Sequence, residues 1–360
     1  MSASDLAKAR ARIDELDRQL QKLISDRARV AQEVREIKAR SGAKNDHYRP
    51  AREAEILRRA IERNEGPLSD EVVAKLMREI MSACLALESP LKVSYLGPEG
   101  TYTQAAVYKH FGHAVNARAA AAIDEIFRDV ESGAATYGVV PIENSTEGVV
   151  SSTLDLLANT PLSICGEVWL PVHHYLMSKQ KRAQIKKIYA HAQSFAQCRK
   201  WLDTKLPDAE RIAVASNGLA AQMVRKQRKG AAIASQAAAE LYGLDILGSN
   251  IEDDPNNTTR FLVIGRQNPE ATGKDMTSLM MSAHKDRAGA LFTLLEPFAQ
   301  ASISLTKIES RPSRRAAWDY NFFIDLEGHQ DDGKVKQALE LIQSRAAYFK
   351  VLGSYPRAVV

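Results

Sequence analysis

NNTTRFLVIG, Asn256 to Gly265, is the stretch on which the reading of this chain turns. Its first six residues gather two amides, two hydroxyls and a guanidinium, and the run from Phe261 to Gly265 has the apolar composition of a buried strand. Small donors feeding directly into a rigid strand are held still, as a site for an anionic small molecule requires. A polar turn whose hydroxyls cap local backbone would carry the same letters. The choice between the two readings comes from the segments around it.

Upstream, KVSYLGPEGTYTQAAVY begins with an apolar strand from Lys92 to Leu96, then a Gly/Pro turn, then a helix starting near Thr103. The unit recurs. TYGVVPIENSTEG (Thr136 to Gly148) reads as strand, polar loop and helix, and KKIYAHAQSFAQCRKWL (Lys186 to Leu202) repeats it. IAVASNGLAAQMV and AAIASQAAAELYG add two more, with Ser216 and Ser235 where N-caps belong. Alternation of strand and helix implies a mostly parallel sheet with ligands at the carboxyl ends of the strands. The polar loops fall at that end: Glu143, Asn144 and Ser145 after one strand, Gln193, Ser194 and Gln197 after another, and Thr259 with Arg260 before a third. Hydroxyls and helix N-termini hold carboxylates without metal or phosphate. GPEG is too short for a dinucleotide or P-loop fingerprint, which argues against nicotinamide and ATP. His173 and His174 point to opposite faces of an extended segment, and no metal-ligand spacing occurs, so neither cofactor nor metal is expected.

Residues 92 to 266 resemble the prephenate dehydratase family through GPEGTYTQ (Gly97 to Gln104), PIENS (Pro141 to Ser145) and TRF (Thr259 to Phe261). The resemblance implies two α/β lobes around a cleft, similar to periplasmic binding proteins. It assigns catalysis chiefly to Thr259, places Glu143, Asn144, Ser145 and Gln197 in the site, and makes Arg260 a carboxylate anchor. Ala190 stands where some relatives have serine. The implied reaction removes carbon dioxide and the ring hydroxyl of prephenate to give phenylpyruvate. Aromatisation drives it, so the protein has only to help hydroxide leave and to exclude water.

The amino-terminal segment has another character. Leu6, Ala9, Ile13, Leu16, Leu20, Leu23, Arg27, Val30, Val34 and Ile37 recur at alternating steps of three and four over residues 5 to 40, a heptad seam interrupted by one arginine. Gly42 is expected to stop this helix, Pro50 to open a second, and Ser69 to cap a third with Val73, Met77, Ile80 and Cys84 on its apolar face. Such a segment has too little core to stand alone and should pair with a second copy of itself. At about 100° per residue, Arg27 and Lys38 share a face roughly 16 Å apart, while Arg10 lies off that face and would reach the site from a partner chain. Solvated faces of a charged coiled coil would explain Arg10 and Lys38 equally well; Arg27, on the apolar stripe, is harder to explain that way.

Residues 5 to 88 resemble the all-helical chorismate mutase family, with Arg10, Arg27, Lys38, Arg52, Glu53 and Glu88 at matching motif positions. Cys84 falls where some members carry serine, and Arg49 where some carry an acid. The resemblance implies a pericyclic rearrangement of chorismate to prephenate, promoted by holding the compact conformer and stabilising charge on the departing ether oxygen. Lys38 and a protonated Glu88 would meet that oxygen, and the arginines would hold the two carboxylates.

After RQNPEATGKD the tail reads strand, helix, strand, strand, helix, strand, the βαββαβ order of a ferredoxin-like unit. It resembles the ACT regulatory domain, with GALF (Gly289, Ala290, Leu291, Phe292) and ESRP (Glu309, Ser310, Arg311, Pro312) at motifs that bind phenylalanine between paired domains. Without that resemblance, GALF would read as a loop before a helix.

Composition agrees. The chain of 360 residues is 45% hydrophobic and 26% charged, enough for several cores without disulfides. Cys84, Cys165 and Cys198 are an odd, dispersed set, and MSASDLAKAR lacks an apolar targeting core, so a cytoplasmic protein with reduced thiols and no membrane role is expected. The net charge of +5 is too modest to make nucleic acid a leading partner. The expected architecture is multidomain: an all-α chorismate mutase-like domain over 1–90, an α/β two-lobed periplasmic-binding-protein-like dehydratase domain over 91–268, and an α+β ferredoxin-like ACT domain over 274–360. This order resembles the bifunctional chorismate mutase/prephenate dehydratases, a homodimer or larger, acting on chorismate and prephenate and inhibited by phenylalanine. The rival reading is a non-catalytic, amino-acid-responsive binding protein. If neutral Glu88 is the working form, mutase activity should weaken as pH rises through the pKa of that glutamate, and Glu88→Gln should flatten the dependence. An unchanged profile in a steady-state pH series on the variant would remove Glu88 from the mechanism.

Overall fold

The computed structural model describes residues 3–40, 48–87, 90–284, 288–313 and 320–359. The helical unit consists of α1 (Ala3–Arg40), α2 (Pro50–Glu62) and α3 (Asp70–Ala86). Pro50 sits in the first turn of α2, where its missing N–H costs nothing, and the Ser69 hydroxyl caps α3 by accepting from Val72 N. Leu57, Ala74 and Met81 form the small core between α2 and α3. α1 is about 57 Å long at 1.5 Å per residue. Its apolar seam is bare: Ile13, Leu20, Leu23, Val30 and Ile37 are all more than half exposed, and α1 becomes half-buried near Asp26, Arg27 and Ala28. The expected stop at Gly42 lies outside the described residues.

The middle of the chain forms two lobes. The first takes β1 (Lys92–Leu96), α4 (Tyr102–Phe111), β2 (Asn116–Ala120), α5 (Ile123–Ser132), β3 (Tyr137–Asn144), β4 (Gly148–Val149), α6 (Ser151–Asn159) and β5 (Ser163–Pro171). The second takes β6 (Tyr175–Ser178), β7 (Lys187–Ala190), α7 (Ala192–Gln197), α8 (Arg199–Lys205), β8 (Glu210–Ala213), α9 (Asn217–Gln227), β9 (Ala231–Ala234), α10 (Gln236–Tyr242) and β10 (Asp245–Gly248). The chain then returns to the first lobe as β11 (Thr258–Gly265), so two crossings join the lobes. The first sheet runs β2-β1-β3-β11-β5 and the second β10-β6-β9-β7-β8.

Three expectations change here. The sheets are mixed rather than mostly parallel, because β11 runs antiparallel to both β3 and β5, and β6 antiparallel to β9 and β10. PIENSTEG is a hairpin, with β4 folding back on Glu143 and Asn144 before α6 begins. TTR does not precede the strand but belongs to it, so its side chains alternate between faces.

The third unit is β12 (Asp275–Ser282), α11 (Ala290–Gln300), β13 (Leu305–Pro312), β14 (Tyr320–Glu327), α12 (Gly333–Arg345) and β15 (Tyr348–Pro356), with antiparallel sheet order β13-β14-β12-β15. α11 and α12 cover one face through Leu294, Phe298, Leu339 and Ile342. The opposite face contributes Met276, Met280, Phe323, Leu352 and Tyr355 to a core shared with Ile126, Leu154, Leu157 and Ile164 of the first lobe. Covered on both sides, β12 is buried along its whole length. Where β15 crosses β5 the backbones nearly touch: a Cβ on Gly353 would stand 2.3 Å from the carbonyl oxygen of Ile164 and 2.6 Å from its nitrogen. Gly353→Ala should therefore push the third unit off the first lobe, with an overpacking cost of about 1–3 kcal/mol. A lower urea midpoint with faster proteolysis near residues 266–275 is the expected result; unchanged values would show that the crossing has slack.

Candidate active sites

The polar loops from the two lobes meet around Thr259. Asn144 pairs with Thr259 across β3 and β11. Its Nδ2 donates to Thr259 Oγ1 and to Asn257 Oδ1, both at 2.8 Å. Its Oδ1 accepts from Thr146 N and Oγ1 and from Glu147 N, so the side chain also builds the turn. Gln197 reaches over from α7 in the second lobe. Its Nε2 donates to Thr146 Oγ1 at 2.9 Å, and its Oε1 accepts from Asn257 Nδ2 at 3.1 Å. Ser145 closes the loop by accepting from Thr258 N.

His174 fixes the orientation of Gln197. Its Nε2 lies 2.7 Å from Gln197 Oε1, and its Nδ1 3.0 Å from the Tyr102 hydroxyl. Burial holds the imidazole below its ordinary value against the opposing pull of Gln197 and Glu252. The neighbouring His173 pairs with Glu252 at 2.7 Å. Asn144 thus presents its amide to Thr259 Oγ1, and the threonine keeps its own O–H to donate. Neutral donors pointed at one spot can assist a departing hydroxide without a strong acid. His174, Tyr102, Thr146 and Asn257 were not singled out in the sequence as site residues. Tyr102 lies inside the GTYT motif, and Asn257 inside the opening stretch.

Two expected members lie elsewhere. Because β11 and β3 alternate, Arg260 and Glu143 project from the face opposite Thr259 and Asn144. Arg260 is buried. Its Nε donates to Glu167 Oε2 at 2.9 Å, its NH1 to Asp325 and its NH2 to the Tyr355 hydroxyl at 2.9 Å. Burial disfavours its charge, but Tyr355, Asp325 and Glu167 outweigh that and hold its pKa above the ordinary arginine value. It is committed to the third unit rather than to a ligand at Thr259. Glu143 accepts from Lys307 Nζ at 2.7 Å.

In the helical unit Glu53 is the centre. It lies beside the buried Arg78 and within the field of Arg27, against Tyr48, whose hydroxyl is 2.9 Å from His110 Nε2. Burial raises its carboxyl to about 7 despite Arg78, Tyr48 and Arg27. A cavity of about 210 Å³ opens here, lined by Glu53, Arg78, Lys109, His110, Trp169 and the carboxyl-terminal Pro356–Val359. Arg78 donates to Val359 O at 3.1 Å. It was not anticipated, although it falls four residues after the buried Ala74 on the inward face of α3. Cys84 is buried on the same helix. Arg10 and Arg52 are exposed, Arg52 pairing with Glu55, and Arg49 pairs with Glu270. Glu88 and the side chain of Lys38 lie outside the described residues.

In the third unit, ESRP is the second half of β13. Ser282, Asn321 and Arg311 are level across β12, β14 and β13, which puts Glu309–Pro312 at the end of the sheet from which the chain leaves for Gly289. Gly289 has φ +74 and opens α11, with nothing within 4 Å of where a Cβ would stand. Phe292 is 70% exposed, available to a partner surface.

Comparison with known proteins gives three family matches in chain order: chorismate mutase type II over residues 9–89, prephenate dehydratase over 93–269 and the ACT domain over 277–340. The bifunctional chorismate mutase/prephenate dehydratase of Stutzerimonas stutzeri is 53% identical over the full length of both chains, and that of Pseudomonas aeruginosa 52%. Among solved structures, the prephenate dehydratase of Arthrobacter aurescens in complex with L-Phe is 34% identical, with a TM-score of 0.70 over 75% of this chain and 93% of that one.

The raised Glu53 gives a pH test with a definite sign. Between about 4.5 and 7 the folded chain holds a proton there that the unfolded chain has released, so this group makes stability fall as pH rises through that window and stay level above it. Glu53→Gln should flatten that fall in urea midpoints measured from pH 4.5 to 8. A slope equal to the wild type would mean that Glu53 ionises normally.

Proposed function

The chain belongs to the bifunctional chorismate mutase/prephenate dehydratase family, and from that premise we propose a division of its work among the three units. It converts chorismate to prephenate and prephenate to phenylpyruvate, an isomerase and a lyase on one chain. We assign the first reaction to residues 1–90, the second to 91–268 and regulation to 274–360.

The Thr259 cluster carries the dehydratase assignment. Thr259 donates to the leaving ring hydroxyl, Asn144 and Gln197 hold its geometry across the two lobes, and closure of the lobes keeps water out. Loss of carbon dioxide needs no cofactor, because the electrons released enter a ring that becomes aromatic as hydroxide departs. For the mutase, Arg27 with Arg52 holds the substrate carboxylates, Arg10 arrives from a second copy, Lys38 and a protonated Glu88 meet the ether oxygen, and Glu53 faces the ring hydroxyl. The bare seam of α1 supports the dimer: a 38-residue helix with this many exposed apolar residues is covered by burying the stripe against another copy. Among the described residues no helix is long and apolar enough to cross a membrane, and we place the protein in the cytoplasm. Phenylalanine, the ligand of the Arthrobacter aurescens structure, binds at Gly289–Phe292 and Glu309–Pro312 between paired third units and inhibits the dehydratase.

The test supplies chorismate and follows prephenate and phenylpyruvate with and without phenylalanine. Phenylpyruvate should form and phenylalanine should suppress it. Thr259→Ala should lower phenylpyruvate formation by about 10²–10³-fold, the usual loss of a transition-state donor, while prephenate accumulates. Arg27→Ala should abolish the mutase yet leave turnover of added prephenate intact. Binding of these compounds without turnover would move the protein to the class of amino-acid-responsive receptors.

A further inference from the structure

The third unit grips the dehydratase hairpin at its roots. Lys307 Nζ donates to Glu143 Oε2 at 2.7 Å, one residue before Asn144. Arg311 NH1 donates to Ser151 Oγ, and its NH2 stands 3.4 Å from Asp155, both in the first turns of α6. At the other end of α6, Lys350 Nζ donates to the carbonyls of Leu157, Ala158 and Thr160, groups that a helix leaves without partners. Glu143 and Ser151 bracket the segment that holds Asn144, Ser145 and Thr146. Both are held from a single strand, by two residues four apart and therefore on one face, about 13 Å from each other.

That strand is β13, which among the described residues pairs with β14 alone at the edge of its sheet, and its second half is Glu309–Pro312. The opposing half of the site is anchored differently. Thr259 lies on β11, which is tied through Arg260 to Asp325 on β14. A displacement of β13 along β14 loads Glu143 and the start of α6, and through them the Asn144–Thr146 hairpin, whose Asn144 pairs with Thr259 on β11. The 2.8 Å contact between Asn144 and Thr259 lies across that division.

We propose that Lys307, contributed by the third unit, is a positioning residue of the dehydratase reaction, and that β13 ties the phenylalanine motif to the Asn144–Thr146 hairpin through Lys307 and Arg311. This rests on the dehydratase and phenylalanine assignments above. It makes inhibition a geometric effect: an effector seated on Glu309–Pro312 pulls the strand to which the catalytic hairpin is fastened.

The experiment uses the full chain. Lys307→Met keeps the aliphatic stem and removes the charge; Ser151→Ala combined with Asp155→Ala removes the α6 partners of Arg311 and leaves the effector motif whole. Lys307→Met should lower kcat for prephenate by about 10–100-fold, as small misplacements of reacting groups do, with KM within about threefold and chorismate turnover unchanged. Lys307→Arg should restore most of kcat. The α6 double variant should bind phenylalanine in calorimetry as the wild type does while its inhibition weakens several-fold. A wild-type kcat in Lys307→Met, or a loss shared by the mutase and not rescued by arginine, overturns the positioning role. Wild-type inhibition in the α6 variant overturns the tie. If phenylalanine neither binds nor inhibits the unmutated protein, the effector assignment falls, and the kcat comparison still decides Lys307.

Discussion

Arg260 is the constraint to which the rest of the middle and third units conform. A guanidinium taken out of water is tolerable only when its charge is matched and its donors are filled, and removing one partner of such a group costs about 3–5 kcal/mol. Here Glu167 comes from β5, Asp325 from β14 and the Tyr355 hydroxyl from β15. Ser278 on β12 completes the set, donating to Asp325 Oδ1 and lying 2.8 Å from the Tyr355 hydroxyl. Four strands from two units are thereby fixed around the residue next to Thr259. The apolar core beneath, with Leu157, Ile164, Met280 and Tyr355, supplies cohesion without direction; the charge network supplies register.

The same economy joins the helical unit to the others. Arg58 donates to Thr272 Oγ1 and to the carbonyls of Lys274 and Arg357, while Arg78 reaches Val359. The carboxyl terminus thus packs against α2 and α3, and Tyr48 packs with Phe111 and Tyr137 of the first lobe. The tail of the third unit and, from the first lobe, the end of α4 with β5 line the cavity onto which Glu53 opens. The helical unit, the first lobe and the third unit meet at one polar junction. α1 reaches it at Arg27, while its apolar stripe lies exposed along the rod.

Legibility in the sequence followed the range of the interactions. Caps and turns are local, so Ser69, Ser216 and Ser235 hold the N-cap hydrogen bonds in the structure, as their positions in the sequence suggest. The strand from Lys92 to Leu96 was readable to the residue, and in the tail the βαββαβ order was readable while the strand ends were not. β5 and β6 were not read, because SICGEVWLP and YLMS carry no alternation and their neighbours in the sheets lie far away in sequence. The antiparallel placement of β11 was equally hidden. Around Thr259, Asn144 and Gln197 were legible as polar residues next to strands. His174 was not, since a buried histidine that orients an amide looks in sequence like any other.

What the sequence determined by itself was the set of units, their order and the chemistry each can hold: a heptad seam broken by Arg27, a two-lobed segment with amide and hydroxyl motifs, and a ferredoxin-like tail. Only the tertiary structure decided which way those motifs face. TTR reads as one polar cluster, yet β11 starts at Thr258, and a pleated strand sends adjacent side chains to opposite sides. Thr259 therefore meets Asn144 in the cleft, while Arg260 turns into the interface with the third unit. The same divergence at Asn144 and Glu143 converts one motif into a site and its tether. The register between strands more than a hundred residues apart produces that division, and no local pattern encodes it.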